Sequence, residues 1–508
     1  MLPGKICSKT YFKQGGVLKF VTPSVALLIA SFIFIVLGAS CATTTYDREF
    51  YKVEDLYYAG KYEEAAGAVR ELARSTGSRE LLLYSMEAGI VFHTMGDYDA
   101  SDRAFQQAWD ISQSISRSKL EDVASFWLNE TERKFIGQNF ERVLIGYYRV
   151  LNQLARGNRE NAKVLFRQID AELRDMKYYD DFYKQNAVVR YLDALVSLSL
   201  GDYNDTRAQL KNLSTLFPSW QKEWDRLSAV LAVEENNADD QAATAGALDD
   251  VLAFNEKGER VTYRPGMAQL VILNSAGKSA VKTSRGTLAQ TPELMRSFQV
   301  SLEANRRVRR SMGQIENILS NAENPIPEYS RRDPAGSHPL VLAANGVPLS
   351  KTMPLFSYSE TVLRHFNGNY PAMVDRNFDA LQKKLVGIFL SGEASASFAV
   401  ALNSLAESQG NTSRVNIDDA RSAGTVIAAA SAYQKFAPDI RCWRFLPDNY
   451  QISVVYLESG NYELEFVPQK KDVLVSSGSR KITVRDGDFH FISLQSMSKD
   501  RRVYTLAK

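Results

Sequence analysis

Three side chains near the C-terminus have the types and the spacing of a small ionic site. Asp439, Arg441 and Trp443 occupy alternate positions. In an extended segment alternate side chains lie on one face, so the carboxylate, the guanidinium and the indole would lie together. Such a group could bind a small anion beneath an aromatic ring, or it could form a structural ion pair with stacking. Of these two interpretations we favour the structural ion pair.

Other residues that could do chemistry lack the spacing that catalysis or metal binding requires. Gly277-Lys278-Ser279 resembles the end of a phosphate-binding loop, but Ile272 stands where that loop needs glycine. Cys442 lies in an apolar stretch, and we expect a small buried residue there rather than a nucleophile. The four histidines have no paired spacing typical of a zinc site. They are His93, His338, His365 and His490. We therefore predict no catalytic residue, no metal, no cofactor and no enzyme.

The N-terminal segment predicts export and lipid attachment. Four lysines precede an uncharged stretch whose apolar core, Val25–Leu37, has the length of a signal-peptide core and is shorter than the roughly 20 residues that span a bilayer. Small residues, Gly38-Ala39-Ser40, then precede Cys41. This arrangement resembles the bacterial lipobox, which implies removal of residues 1–40 and attachment of fatty chains such as palmitate to Cys41. Ala42 follows the cysteine, and by the same resemblance this favours the outer membrane, facing the periplasm.

Two alternatives to lipid attachment stay open. The segment could remain as an uncleaved anchor helix from about Val21 to Ala42, or cleavage near Ala42 could release a soluble product. All three interpretations place the bulk of the chain outside the cytoplasm.

Composition limits the class of protein. The chain has 508 residues, enough for two or three domains, and a net charge of +2, which gives no reason to expect nucleic-acid binding. Of its three cysteines, Cys7 and Cys41 belong to the N-terminal segment, so Cys442 has no partner for an internal disulfide. We therefore expect packing to supply the stability.

A short motif around glycine recurs through residues 46–225 with helical periodicity on both sides. Glycine suits a turn between two helices because it adopts positive φ, and a small residue five positions later lets the helices approach. The first two copies, at Gly60 and Gly96, are 36 residues apart (96 − 60). The residues that define the repeats are Gly60, Tyr62, Ala65, Gly89, Gly96, Tyr98, Phe105, Gly157, Ala162, Gly201, Tyr203 and Pro218.

These features resemble the tetratricopeptide repeat, a helix–turn–helix unit of 34 residues. The resemblance predicts a TPR-like helical solenoid over residues 41–230, distorted by an extra helical stretch near 120–137. Such arrays expose a groove that holds peptides or helices, and aromatic and arginine residues at 140–149 and 178–183 could line it. A generic antiparallel helix bundle is the alternative.

The second half of the chain predicts a mixed domain. Glu234–Ala247 is polar, acidic and rich in small residues, and residues 231–262 around it are interpreted as a linker. The domain at 263–508 would contain a strand at Met267–Leu273, helices near 292–320 and 372–407, and a β-rich, Ig-like end at about 445–508. Turn residues at Ser459-Gly460 and Asp486-Gly487-Asp488 predict antiparallel hairpins there. The predicted fold class is therefore α+β and multidomain, with the TPR-like solenoid first.

Three stretches also resemble a group of bacterial lipoproteins that carry tetratricopeptide repeats and have no assigned reaction. They are Phe140-Glu141-Arg142, residues 266–277, and residues 438–447 with their sequence PDIRCWRFLP. The resemblance implies an architecture and a compartment.

Two functions are compatible with these features. The first is a lipid-anchored scaffold of the cell envelope whose repeat groove binds unknown envelope proteins. The alternative is a C-terminal domain that binds or hydrolyses an envelope polymer or a small ligand, docked by the repeats; a pocket gathering Asp439, Arg441 and a histidine would favour it.

Overall fold

The computed structural model describes residues 42–114, 135, 137–175, 186–292, 294–296, 320–332, 338–374, 438–469, 473–475 and 479–498. The described residues from Tyr46 onward belong to one compact unit, which contains the helical array and the sheets. Several predictions lie outside the described residues. These are the signal segment with Cys41, most of the extra helical stretch near 120–137, residues 178–183, and most of the helices predicted near 292–320 and 372–407.

Five antiparallel helix hairpins form the N-terminal half of the described chain. The first helices of the hairpins are α1, α3, α5, α7 and α9, and the second helices are α2, α4, α6, α8 and α10. Their bounds are α1 Ala42–Tyr58, α2 Tyr62–Thr76, α3 Leu81–Met95, α4 Tyr98–Ser114, α5 Asn139–Ala155, α6 Arg159–Asp175, α7 Ala187–Ser199, α8 Tyr203–Leu216, α9 Gln221–Glu234 and α10 Ala238–Leu248.

A left-handed residue closes the turn of each hairpin. Gly60, Gly96, Gly157 and Gly201 have φ between 73° and 80°, as the glycine motif predicts. In the fifth turn Asn236 takes this place with a φ of 53°. Asparagine is among the few other residues that adopt this conformation at modest cost, so a search for glycine alone misses it. The spacing would have revealed it, since Asn236 follows Gly201 by 35 residues (236 − 201).

The segment predicted to be a linker, residues 231–262, is therefore mostly ordered structure. It contains the end of α9, the fifth turn, all of α10 and the short strand β1 (Ala253–Phe254). Asn237 caps α10 by accepting a hydrogen bond from the backbone N–H of Asp240 at 3.3 Å. Pro218 ends the fourth hairpin, since α8 stops at Leu216, but a single 3₁₀ turn at Pro218–Trp220 leads on into α9.

Close contact within the hairpins follows from the small residues of the motif. Ala65 and Ala162 are fully buried, and the hydroxyl of Ser101 donates to the carbonyl of Gly89 at 2.7 Å. A Cβ at Gly89 would lie 2.6 Å from the ring of Phe105. Glycine at this position thus permits the contact between α3 and α4.

Most strands of the C-terminal half form two sheets. The first has the order β1-β8-β2-β12-β10, with β7 beside β8, and the second has the order β11-β9-β5-β6; β3 and β4 form a separate pair. The β1–β8 and β2–β12 pairs are parallel and the others are antiparallel. The bounds are β1 Ala253–Phe254, β2 Ala268–Ala276, β3 Val281–Thr283, β4 Glu328–Ser330, β5 Leu340–Ala344, β6 Val347–Lys351, β7 Met353–Ser357, β8 Asn449–Leu457, β9 Gly460–Pro468, β10 Val473–Val475, β11 Ser479–Val484 and β12 Phe489–Ser498. A short helix, α11 (Tyr358–Val362), follows β7.

The first sheet is packed on both faces. On β2, Val271 and Leu273 belong to the core that includes the helices, whereas Leu270 and Ile272 belong to a second core shared with the other sheet. All nine residues of β2 are buried, which explains the four consecutive apolar residues, Leu270–Leu273, at its centre. The fold is thus a mixed one, with N-terminal helices and C-terminal strands.

The predicted hairpins at the C-terminal end are wrong. Ser459-Gly460 joins β8 to β9 and Asp486-Gly487-Asp488 joins β11 to β12, but in each case the two strands belong to different sheets. Among the described strands after residue 445, β8, β9 and β12 pair with β1, β2, β5 and β7, whereas β10 and β11 pair with β12 and β9. These strands therefore share their sheets with earlier parts of the chain and do not form a separate β-rich subdomain. Turn residues indicate where the chain reverses, but they do not decide which backbone it then pairs with.

Two glycine-to-alanine substitutions test the packing of the hairpins. Gly89→Ala should lower the free energy of unfolding by about 1–3 kcal/mol, because the new methyl group clashes with Phe105. Gly67→Ala is the matched control, since no atom lies within 4 Å of its Cβ position. It should raise stability by up to about 1 kcal/mol through helix propensity. Urea unfolding measures both, and equal effects would contradict the close contact of α3 and α4.

Candidate functional site

The predicted ionic site lies in a segment without regular secondary structure, residues 438–448, which we call the strap. Every residue of the strap except Ile440 is buried. It lies against helices α1, α3 and α5, and the surface that these helices present to it is called the inner face of the array. For example, the ring of Phe445 stacks on that of Tyr57 in α1, with 4.3 Å between the ring centroids. The strap leads directly into β8.

Asp439 and Arg441 are in direct contact, as their alternate spacing predicts, and a third residue joins them. The Arg441 guanidinium donates two hydrogen bonds of 2.8 Å to the Asp439 carboxylate. Its remaining nitrogen donates to Oε1 of Glu80, immediately before α3, at 2.7 Å. One buried guanidinium therefore compensates two carboxylates, and the bidentate geometry suits arginine.

The two carboxyl groups respond differently to this environment. Burial alone would raise the pKa of Asp439, but the charge and hydrogen bonds of Arg441 outweigh burial and lower it. For Glu80 burial is the stronger effect, so its pKa is raised in spite of the same guanidinium. Asp439 is therefore the principal partner of Arg441, and Glu80 the secondary one.

Trp443 does not cover this ion pair. Its indole is fully buried and lies 5.9 Å, between ring centroids, from both Phe105 and Tyr148. The aromatic ring near Arg441 is instead that of Phe135, whose centroid is 5.7 Å from the guanidinium carbon. The structure thus brings Asp439 and Arg441 together and places Trp443 in a separate aromatic cluster.

Glutamates of the inner face bind the backbone of the strap. Glu87 accepts hydrogen bonds from the backbone N–H groups of Arg444 at 2.6 Å and Phe445 at 3.0 Å. Glu141 accepts one from Trp443 at 3.4 Å. Sequence reasoning missed both glutamates, although Glu87 is the only charged residue in the apolar run 81–92. A lone acidic residue on such a helix is a signal for a buried polar contact.

Burial dominates the titration of both glutamates. It raises the pKa of Glu87 to about 8, although the two backbone N–H groups act in the opposite direction. Burial likewise raises the pKa of Glu141. Glu87 therefore changes charge within a moderately alkaline range.

A second ionic contact joins α1 to the strap. Glu54 of α1 accepts a hydrogen bond of 2.9 Å from the Arg444 guanidinium and another from Arg332. Arg332 also donates to the carbonyl oxygens of Ser279 and Arg444. Burial raises the pKa of Glu54, but the two arginine charges outweigh it, so the net pKa is lowered. Glu54 is therefore an ionised carboxylate shared by two arginines.

The triplet Gly277-Lys278-Ser279 takes part in the same junction. The Lys278 ammonium lies 4.0 Å from the centroid of the Tyr58 ring of α1. The backbone N–H of Ser279 donates to the carbonyl of Leu446 in the strap at 3.0 Å. These contacts give the triplet a structural explanation.

His93 joins the array to the first sheet through a chain of hydrogen bonds. Asn152 donates to the Ser101 hydroxyl at 2.9 Å, so its oxygen faces His93 and accepts from Nδ1 at 2.7 Å. The other nitrogen, Nε2, then accepts from the Ser493 hydroxyl at 3.0 Å. Burial lowers the pKa of His93 to about 4, so the imidazole is neutral at pH 7. The connectivity is that of a serine–histidine dyad, but Asn152 carries no charge to stabilise an imidazolium.

A second buried ionic cluster joins α6, α7 and α8. The Lys163 ammonium donates to Asp193 at 2.7 Å and to Ser197 at 2.6 Å, and also bonds Asp205. Burial raises the pKa of Asp193 to about 6 against the effect of Lys163. The cluster is internal to the array and does not contact the strap.

Cys442 is buried, and the backbone N–H of Lys282 donates to its sulfur at 3.4 Å. Burial raises the pKa of the thiol to about 11. The thiol is therefore protonated at neutral pH and a weak nucleophile.

Among the described residues, no group of three or more histidine, cysteine, aspartate or glutamate side chains could hold a metal ion. None of the described helices has the length and apolar character needed to cross a bilayer.

Comparison with known proteins finds no relative: no family model, curated protein or solved structure matches the chain.

Truncating the Arg441 side chain tests the ionic contact of the strap. Arg441→Ala should lower the free energy of unfolding by about 3–5 kcal/mol, because it leaves two buried carboxylates without their cation. Asp439→Ala should cost less, since Glu80 can still pair with Arg441. Lys481→Ala removes an exposed ion pair and serves as the control, with an expected effect within about 0.5 kcal/mol. Similar losses for Arg441→Ala and Lys481→Ala would contradict the buried triad.

The pH dependence of stability tests Glu87. Its pKa rises from 4.5 to about 8 on folding, so between these values the folded chain keeps a proton that the unfolded chain has lost. The contribution of Glu87 therefore falls as the pH rises from about 5 to 8, by a few kcal/mol. Glu87→Gln removes this titration, while the lost hydrogen-bond acceptor costs the same at every pH.

The melting temperature of Glu87→Gln relative to the wild type should consequently increase from pH 5 to pH 8. Glu63→Gln, an exposed change on α2, should show no such trend. A constant difference for Glu87→Gln across this range would show that the carboxyl does not titrate there.

Proposed function

We propose that the protein is a lipoprotein of the bacterial cell envelope, attached through Cys41 to the periplasmic side of the outer membrane, and that it acts as a non-enzymatic scaffold for protein–protein interactions. The anchoring part of this proposal is supported by the uncharged segment and the small residues that precede Cys41. The scaffold part is supported by the helical array and by what its inner face contacts.

We further propose that the array is a tetratricopeptide-like solenoid. Five successive hairpins with a left-handed turn residue support this assignment. So does the bond between Ser101 and the carbonyl of Gly89, twelve residues earlier, which Thr206 repeats with Ala194 at 3.4 Å. Equivalent contacts in separate hairpins are the mark of a repeat.

The observation that carries the scaffold proposal is the strap on the inner face. Glu87 and Glu141 accept hydrogen bonds from its backbone, while Glu54 and Glu80 pair with its arginines. Aromatic rings of the helices enclose Trp443 and Phe445. These are the contacts by which a protein binds an extended peptide.

The position of the strap also limits the surfaces that a partner could contact first. Since the strap covers the inner face, a second protein would approach surfaces that remain exposed. Exposed large apolar side chains occur at Val164 on α6, Val347 on β6 and Val467 on β9, with 38–50 % of their surface accessible. We propose the outer side of the array and of the second sheet as the initial contact surfaces.

The alternative function, an envelope-polymer or small-ligand site in the C-terminal half, lacks such support. Asp439 and Arg441 are covered by the array, and His93 bonds Asn152 and Ser493 rather than either of them. The pocket that would favour this alternative does not occur among these residues.

Photo-crosslinking in intact cells tests the scaffold proposal. A photoreactive residue at Val164, Val347 or Val467 should give a discrete crosslinked product with an envelope protein, because these side chains are exposed. Radiolabelled palmitate should label the wild type and not Cys41→Ser, and the product should be lost or reduced in Cys41→Ser, which removes the anchor. A photoreactive residue at the exposed Gly67 is a control for random collision. Labelling that persists in Cys41→Ser, or no specific product from any position, would contradict the proposal.

A further inference from the structure

We propose that the strap is an internal ligand of the inner face, and that an extended segment of another polypeptide with the pattern Arg-x-Trp-Arg-Phe can replace it. This inference rests on the proposed scaffold function and specifies the class of partner. The strap would then keep the inner face closed until such a segment is present.

The first reason is that side chains, and not a strand ladder, hold the backbone of residues 443–445 of the strap, while among the described residues backbone N–H groups bond only its end, at Leu446 and Asp448. Three consecutive N–H groups, those of Trp443, Arg444 and Phe445, donate to glutamates of α3 and α5. The carbonyl of Arg444 accepts from Arg332 and from the Tyr58 hydroxyl. Contacts to the main chain are available to any extended segment, whatever its sequence.

The second reason is that the side chains of the strap occupy separate sites. Arg441 pairs with Glu80, and Arg444 pairs with Glu54 three residues further on. Between and after them, Trp443 enters the cluster of Phe105 and Tyr148, and Phe445 packs beside Phe50 and Tyr57. These four sites define the pattern of two arginines and two aromatic residues. The glutamates require a cation, and the aromatic clusters require an aromatic ring.

The third reason is that the strap fits the inner face imperfectly. The indole N–H of Trp443 and one carboxylate oxygen of Glu80 are buried and have no hydrogen-bond partner within the part of the chain that the structure describes. Glu87 and Glu141 make no ion pair within the described ranges and accept only backbone N–H groups. Unsatisfied buried polar groups weaken binding, so they reduce the free energy with which the inner face holds the strap.

The free energy needed to open the strap can be compared with that needed to unfold the sheets. Its ionic contacts are buried, and the cost of removing their charges from water offsets much of their attraction. Strand β2, by contrast, is held by continuous backbone pairing with β8 and β12 and by two apolar cores. Local opening of the strap should therefore need less free energy than unfolding.

The test measures binding of a fluorescent peptide to the full chain purified in detergent. The peptide has the sequence of residues 438–448 with Cys442→Ser, which prevents oxidation. It should bind the variant Arg441→Ala/Arg444→Ala at least tenfold more tightly than the wild type, because the variant's own strap has lost both ionic contacts. In the matched control peptide both arginines are replaced by alanine. This control peptide should bind the variant protein at least tenfold more weakly than the peptide that keeps the arginines. Equal binding of the peptide to both proteins, or equal binding of both peptides, would overturn the proposal.

Hydrogen exchange of the wild type keeps the proposal testable if the double variant fails to fold. The amides of Trp443, Arg444 and Phe445 should exchange at least tenfold faster than those of β2. Excess peptide should accelerate their exchange further, because it replaces the strap on the inner face. Exchange at the rate of global unfolding would show that the strap never opens, and would overturn the proposal. The outcome of these measurements is separate from that of photo-crosslinking. If a partner is crosslinked but the peptide does not bind, the scaffold function stands and the present inference fails. If the peptide binds but no partner is crosslinked, only the scaffold function is contradicted.

Discussion

The need of buried carboxyl groups for polar partners is the constraint on which the rest of the structure depends. Glu54, Glu80 and Glu87 belong to the first two hairpins or the turn between them, and each is almost inaccessible to water. A buried carboxyl group is costly unless cations or N–H groups surround it, and the partners of these three come from Arg332 and from the strap. The helical array and the C-terminal half are therefore parts of one folding unit.

This constraint also explains the layered arrangement of the sheets. The strap runs directly into β8, so the position of the strap on the helices brings the first sheet against them. Tyr148 of α5 then meets Tyr450 of β8, their hydroxyls 3.3 Å apart, and His93 meets Ser493 of β12. The opposite face of the same sheet is covered by the second sheet. Two covered faces account for the apolar character of β2.

Because the strap occupies the inner face, the proposed scaffold function cannot use that face as a free binding groove. A repeat array with a free groove would bind its partner directly. Here the equivalent contacts are already made by residues 438–448 of the same polypeptide, and Glu87 and Glu141 hold their backbone. Any partner must use another surface or compete with an internal segment, whose local concentration is high because it is covalently attached. Under the proposed scaffold function, competition of this kind would set the partner concentration above which binding occurs.

The sequence by itself determined the local features: the glycine turns at Gly60 and Gly96, the buried strand β2, and the contact of Asp439 with Arg441 two residues away. These depend on backbone conformation and on spacing along the chain. Only the tertiary structure decided that Glu80 joins Arg441 across 361 residues, and that β8 and β9 enter different sheets in spite of the turn between them. The choice of such distant partners depends on which surfaces can be buried together while every buried charge keeps a partner. The free energy that decides this is a property of the whole fold, so no local sequence pattern predicts it.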